Sequence, residues 1–454
     1  MLNGKLFNMI STELILLFVY FIILLSIGYF SSKKEEKEDY LIANRKLSGF
    51  AIALSIAASY IGGNAIVNIT GFVYTYGAAM FWATSGTILG FIVVIPMAKK
   101  MRQYTEENKF YTLPDYLSFK YGKRTGIIAT LIIMIWYLMS LCVQFIAGAT
   151  VIQSISQLDY TAAMLLMSII VLVYLFLGGF KAVVRTDIFQ YLLFIILFIV
   201  ALFSISHGTS IDFSSFIDFK KVGFVKLSSF SIIAMGFVIT APELWQRVYA
   251  GKNKRETIKG LTLTSIFVLI TYFFIAILGI AAKSSFPNIR PEQAALLGLN
   301  RLLPPALKSI GIILFFAVIM STIDTLLFII ANNFSNDIWK KFINKEINLV
   351  QSTKISLVIF TVVLVVITLL YRDILALGLS MLSIGLSFAP ILIGSFYFEL
   401  KPKAVNLALF CALLSVILML SFGIICPETS IISLPVSLIL LLIGQVFFKG
   451  TPKN

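Results

Sequence analysis

The densest group of polar side chains inside an apolar stretch of the sequence lies at residues 321–325. Ser321, Thr322, Asp324 and Thr325 fall within these five positions. On a helix, Ser321, Asp324 and Thr325 share one side because they are three and four residues apart. Hydroxyl and carboxylate oxygens are ligands that hard cations such as Na+ accept. The alternative is that the hydroxyls bond to carbonyls of their own helix four residues earlier.

Two further acidic residues, Asp187 and Glu243, are predicted to lie inside apolar segments. An ionisable group at the centre of a membrane helix costs about 2.5–3.5 kcal/mol on insertion scales, so each is a functional candidate. The alternative for Asp187 is an ion pair with Arg185 or Lys181 at a helix end. The alternative for Glu243 is an ion pair with Arg247, at the spacing that favours Glu before a cation.

Composition places these residues in a membrane protein that is not an enzyme. Of 454 residues, 59% are hydrophobic and 13% charged, against about 25% charged in soluble domains. One histidine, three scattered cysteines and no nucleophile triad, phosphate loop or HExxH motif predict neither catalytic residues nor a disulfide framework. Segments long enough to cross a bilayer number thirteen and lie near 12–31, 48–76, 78–98, 125–153, 160–178, 182–207, 228–249, 258–282, 306–335, 353–371, 374–398, 404–424 and 429–448.

The distribution of basic residues predicts the orientation. With the N-terminus outside and the C-terminus in the cytoplasm, most of the 36 Lys and Arg residues fall on the cytoplasmic side, including those of 33–46, 99–124, 247–259 and 340–354. This asymmetry accounts for the net charge of +15, so the charge gives no reason to expect nucleic-acid binding. We therefore expect a multi-pass protein of the cytoplasmic (inner) membrane.

Two of the predicted spans contain residues that interrupt a helix. Ala57 to Asn64 includes the pair Gly62-Gly63, and Thr240-Ala-Pro242-Glu243 lies inside 228–249. Paired interruptions in two halves of opposite orientation indicate an inverted-repeat secondary transporter whose site lies at the broken helices. The predicted units are 1–47 (extra helix and cytoplasmic loop), 48–207 (first five-helix repeat), 208–227 (external loop), 228–398 (second repeat) and 399–454 (two extra helices).

Three motifs resemble the sodium/solute symporter family, which includes sodium/proline and sodium/galactose symporters. They are Gly178-Gly-Phe-Lys-Ala-Val-Val-Arg-Thr-Asp187-Ile-Phe-Gln190, Trp245-Gln-Arg247-Val-Tyr-Ala250, and Ala317-Val-Ile-Met-Ser-Thr-Ile-Asp-Thr325 followed by Asn336-Asp-Ile338. The resemblance implies an all-α, leucine-transporter-like fold that couples Na+ entry to solute uptake by alternating access. It implies no cofactor, with Na+ as the coupling ion.

The resemblance also implies cation ligands, position by position. The main Na+ site would use the carbonyls of Ala58, Ile61 and Val318 and the hydroxyls of Ser321 and Thr322. A second cation site, present in some members, would map to Ser321, Asp324, Thr325 and Asp187.

Departures from the family pattern bear on the solute, which would meet Tyr60, Asn64, Pro242 and Glu243. Sugar-transporting members carry Glu-Gln where this chain has Asn64-Ala65, which disfavours sugar. Pro242 agrees with the proline-type branch, whereas Tyr60 and Glu243 replace its acid and its histidine. A small amino acid, organic acid or vitamin-like solute is expected.

Two alternatives to a Na+ symporter remain open. One is H+ coupling through Asp324, Asp187 or Glu243, and the other is a membrane sensor with the same fold. No obligate protein partner is inferred.

Overall fold

The structure is a computed structural model that describes residues 12–32, 37–77, 82–156, 158–206, 222–371, 374–426 and 428–448. The predicted external loop lies outside these ranges up to residue 221, and the next helix begins at Phe224, four residues before its predicted start. The helices, in chain order, are α1 (Thr12–Ser32), α2 (Lys37–Ile42), α3 (Gly49–Ile61), α4 (Gly63–Tyr76), α5 (Trp82–Asn108), α6 (Leu113–Tyr121), α7 (Lys123–Ile155), α8 (Tyr160–Ser206), α9 (Phe224–Thr240), α10 (Pro242–Ala250), α11 (Lys254–Ser285), α12 (Ala294–Leu302), α13 (Lys308–Asn333), α14 (Leu349–Leu370), α15 (Ile374–Leu386), α16 (Ala389–Tyr397), α17 (Pro402–Ser421) and α18 (Ser433–Phe447).

The number of membrane spans agrees with the prediction of thirteen. Within the described ranges, eleven helices are long and apolar enough to cross a bilayer, and the bent pair α3–α4 makes a twelfth. Helix α8 has 47 residues with a non-helical Gly179 inside it. A continuous helix of that many residues would be about 70 Å long at 1.5 Å per residue, more than twice the roughly 30 Å of a hydrocarbon core. Counting its two halves separately brings the total to thirteen.

Both predicted interruptions are present. Helix α3 ends at Ile61, Gly62 is non-helical, and α4 begins at Gly63, so that the span bends by 58°. Helix α9 ends at Thr240, and Pro242 opens α10 after the non-helical Ala241. A proline is suited to the first turn of a helix because its missing N–H would have no intrahelical partner there.

The broken spans pack around α13, which lies at the centre of the bundle. Every residue of α13 from Ile313 to Asn333 is buried, as are Ile52 to Ile61 of α3 and all nine residues of α10. A helix that is buried on every side belongs to the core of a large bundle. The polar residues of α3, α10 and α13 must therefore find their partners on neighbouring helices rather than in lipid or solvent.

Candidate functional site

The break in the first core span lies directly against α13. A Cβ placed on Gly62 would lie 2.1 Å from Thr322 Oγ1, and the Thr322 hydroxyl donates to the Ser59 carbonyl at 3.4 Å. Because α3 ends at Ile61, the carbonyls of its last turn lack intrahelical partners. The structure thus brings hydroxyls of α13 to the helix end that carries Ala58 and Ile61.

The five predicted ligands of the main Na+ site are all buried, and their chemistry fits the ion. Ala58 and Ile61 are in the last turn of α3, and Val318, Ser321 and Thr322 lie on consecutive turns of α13. Neutral carbonyl and hydroxyl oxygens are hard donors suited to a monovalent cation. Ser321 also donates to Asp187 Oδ1 at 2.7 Å, so the hydroxyls of α13 bond across helices rather than back along their own.

Asp187 is paired with Arg247, not with either of the cations predicted from the local sequence. Arg247 Nη2 donates to Asp187 Oδ2 at 2.9 Å, and both side chains are 0% exposed. Lys181 pairs instead with Asp39 at 3.0 Å, and Arg185 donates to Ser31 Oγ at 3.0 Å. Arg247, which was counted among the basic residues of the cytoplasmic side, is therefore buried inside the helix bundle and paired there.

Arg247 also contacts residues predicted to hold a second cation. Its Nη2 donates to Thr325 Oγ1 at 2.9 Å, and its Nε donates to Ser55 Oγ at 3.0 Å. Arginine is permanently charged. Asp187 and Thr325 are therefore close together, as the family resemblance implied. The positive charge between them is the guanidinium of Arg247 and not a bound cation.

Asp324 faces α8, as Ser321 does. Its Oδ2 accepts bonds from Tyr174 at 3.0 Å and Thr186 at 2.9 Å. Its Oδ1 is buried and has no hydrogen-bond partner among the described residues. This carboxyl group is therefore held in place on one oxygen and unpaired on the other.

The predicted ion pair between Glu243 and Arg247 does not form. Arg247 Nη1 reaches only the backbone carbonyl of Glu243, at 3.4 Å, and the Glu243 carboxylate accepts a hydrogen bond from Tyr137. The four-residue spacing of Glu243 and Arg247 did not predict the observed partners for two reasons. Glu243 is in the first turn after the helix break, and Arg247 forms its ion pair with Asp187, a carboxylate on α8. The carboxylate of Glu243 is left facing a cavity.

That cavity adjoins both helix breaks and has a volume of about 160 Å³. It is lined by Tyr60 and Glu243 of the predicted solute set, and by Ser59, Gly62 and Thr322 at the first break. Pro242 is buried at the second break, and Asn64 lies in the first turn of α4, where only its backbone is described.

Sequence reasoning missed the contribution of α7 to the cavity. Tyr137, Ser140 and Gln144 all line it. These residues are three and four positions apart, so they form one polar stripe along a helix. That stripe was the available signal, but its individual residues are uncharged and common in membrane helices.

Comparisons with known proteins agree with this geometry. Residues 40–399 match the Sodium:solute symporter family. Sodium/proline symporters of Staphylococcus aureus strains JH9 and Newman are each 25% identical over 415 residues, covering 85% of this chain and 81% of theirs.

Solved structures share the fold. A Na+-coupled sialic acid symporter in a substrate-bound outward-open state has a TM-score of 0.79 at 18% identity, over 97% of this chain and 98% of that one. The transporter MhsT in complex with L-phenylalanine has a TM-score of 0.59 at 14% identity, over 87% and 98%. These likenesses confirm the predicted leucine-transporter-like fold.

Proposed function

Because the chain belongs to the sodium:solute symporter family, we propose that it imports a small organic solute, by alternating access, through the cavity between its two broken helices. The chain is a secondary transporter that couples solute movement to Na+. The observation that carries the proposal is the contact of Gly62 with Thr322 at the wall of this cavity. There, an ion at the helix break and a solute in the cavity would be neighbours.

In this proposal, Na+ binds between α3 and α13. Its ligands are the carbonyls of Ala58, Ile61 and Val318 and the hydroxyls of Ser321 and Thr322. The support is the burial of all five residues and the approach of Thr322 to the end of α3. A bound Na+ would stabilise the closed contact between the broken helix and α13, which is how the ion would favour one conformation of the site.

The solute binds in the cavity beside Tyr60, Asn64, Pro242 and Glu243. The small volume and largely apolar wall support a compact solute of amino-acid size, and the sodium/proline symporters are relatives that carry such a molecule. Uptake occurs across a cytoplasmic membrane with the N-terminus outside, as the positive-inside rule predicts.

Coupling to H+ is the second candidate, and the unpaired Oδ1 of buried Asp324 favours it. Uptake by purified protein in liposomes distinguishes the two when an inward Na+ gradient and an inward pH gradient are imposed separately, with K+ as the replacement cation. One Na+ crossing 100 mV supplies about 2.3 kcal/mol, enough for roughly fifty-fold accumulation of a neutral solute. We expect accumulation with the Na+ gradient; uptake that ignores Na+ and follows the pH gradient would replace this proposal with the second.

A further inference from the structure

The cavity between the broken helices holds one carboxylate and no basic side chain among its described lining residues. Glu243 is 1% exposed and accepts its hydrogen bond from Tyr137, a neutral donor. The nearest cation along the chain, Arg247, directs its Nη2 to Asp187 and Thr325 instead. A buried carboxylate without an opposite charge is costly, which indicates that a cation joins it when the site is filled.

The formal charges of the whole site point the same way. Among the described residues in and around the cavity, the buried charged groups are three carboxyl groups, those of Asp187, Glu243 and Asp324, and one guanidinium, that of Arg247. The pair of Asp187 with Arg247 is neutral, and one Na+ at the break would offset one of the two remaining charges. A solute with one net positive charge would offset the other, whereas a zwitterion would not.

The walls of the cavity are suited to a cation with an apolar body. Its aromatic lining comprises Tyr60, Phe72, Trp136, Tyr137, Phe230, Phe237 and Tyr272. Aromatic faces attract organic ammonium ions through their quadrupoles, and the attraction is stronger where water is excluded. Two buried polar atoms in the same wall, Tyr60 Oη and Gln144 Oε1, have no hydrogen-bond partner within the described part of the chain. Both can accept a hydrogen bond from an ammonium N–H or a solute hydroxyl.

We propose that the transported solute is a small organic ammonium ion, whose positive charge lies against Glu243 and whose aliphatic part contacts the aromatic wall. This proposal rests on the assignment of the cavity as the solute site of a Na+ symporter. It narrows the solute class to cations, and it predicts that two positive charges enter per cycle when one Na+ is coupled.

The test is binding and transport by the full chain with matched probes. Choline is compared with its uncharged isostere 3,3-dimethylbutan-1-ol, and pyrrolidinium with tetrahydrofuran; proline and glycine betaine represent zwitterions. Binding is measured by thermal shift in detergent with Na+ present. We expect at least one ammonium ion to bind at least tenfold more tightly than its isostere. In liposomes, the ratio of charge to radiolabelled solute should be near two.

The matched variants are Glu243→Gln in the cavity and Glu107→Gln, the same change at an exposed position of α5. Glu243→Gln should abolish the tenfold preference for the ammonium ion, and Glu107→Gln should leave it intact. The isostere comparison in the unmodified protein decides the question even if Glu243→Gln does not fold.

The outcomes separate this inference from the proposed function. Na+-driven uptake of a zwitterion with no ammonium binding overturns the inference and leaves the symport proposal standing. Glu243-dependent ammonium binding without Na+-driven uptake supports an ammonium site beside Glu243 but overturns its assignment as the solute site of a Na+ symporter. Binding of no ammonium probe, or an ammonium preference that survives in Glu243→Gln, overturns the inference.

Discussion

Arg247 and Asp187 are sixty residues apart in the sequence and form an ion pair of 2.9 Å that is inaccessible to solvent. The pair joins α10, which follows the second helix break, to α8. Ser55 of α3 contacts both partners, accepting from Arg247 Nε at 3.0 Å and donating to Asp187 Oδ2 at 2.5 Å. Together with Ser55, this ion pair therefore connects both broken spans to α8.

Removing one member of this pair should destabilise the protein strongly. Asp187→Asn leaves the Arg247 guanidinium buried without a counter-charge, and breaking a buried pair in this way costs about 3–5 kcal/mol. We expect a clear fall in the melting temperature in detergent. Because the second change removes the unpaired charge, Asp187→Asn with Arg247→Gln should recover part of the loss.

The control for this cycle is Asp39→Asn, which breaks the more exposed pair with Lys181. Exposed pairs contribute about 0–1 kcal/mol, so its melting temperature should change little. A double variant no more stable than Asp187→Asn alone would mean that the two residues do not act as a pair.

The hydroxyls of α13 should determine the Na+ requirement of uptake. Ser321→Ala with Thr322→Ala removes two of the five proposed ligands, and we expect the Na+ concentration for half-maximal uptake to rise at least tenfold, about 1.4 kcal/mol. Thr322→Ser, which keeps the hydroxyl, should retain most of the wild-type Na+ affinity. The control is Thr361→Ala on α14, whose hydroxyl bonds to its own helix at Leu357. Unchanged Na+ dependence in the double variant would remove the main site from this location.

A methyl group at the first helix break should separate α3 from α13. Gly62→Ala would place a Cβ 2.1 Å from Thr322 Oγ1 and 2.7 Å from Thr322 Cβ, and these atoms belong to a short, β-branched side chain that cannot turn away freely. We expect Na+-driven uptake to fall at least tenfold, measured in liposomes at matched protein content. Gly311→Ala is the matched control, because its closest neighbour is a terminal methyl of Leu303 that can move aside. Equal activity of the two variants would argue against a tight break.

Local backbone chemistry made the helix breaks predictable from the sequence. Glycine and proline change the backbone conformation of their own residue and of its nearest neighbours. The helices are accordingly interrupted within one residue of Gly62-Gly63 and of Pro242. The cluster of Ser321 and Thr322 was equally visible, since few residues of that kind occur together in an apolar span. The turn between the halves of α8 is shorter than expected, because Gly179 alone, with φ of 53°, provides the change of direction.

The partners of the buried charges were not predictable in the same way. Asp187 has Arg185 and Lys181 nearby in sequence, and Glu243 has Arg247 one turn on, so each had a plausible local partner. Tertiary packing instead directs Lys181 to Asp39, Arg247 to Asp187 and Tyr137 to Glu243. Rules based on helix spacing describe exposed surfaces. Helix α10 is instead buried on every side, and its charged side chains contact residues of α3, α7, α8 and α13.

Asp324 is the residue that distinguishes Na+ coupling from H+ coupling. Asp324→Asn preserves an oxygen that can accept the bonds from Tyr174 and Thr186 while removing the charge, so we expect the fold to be retained. If Asp324 acts through its negative charge on Na+, the variant should require about tenfold more Na+, because an opposite charge nearby is lost. The wild type should then show no uptake driven by a pH gradient alone. Uptake measured against Na+ concentration at two pH values tests this. If the wild type takes up solute with a pH gradient and the variant loses this uptake while keeping normal Na+ dependence, Asp324 is the proton carrier. If the variant matches the wild type in both measurements, Asp324 has only a structural role.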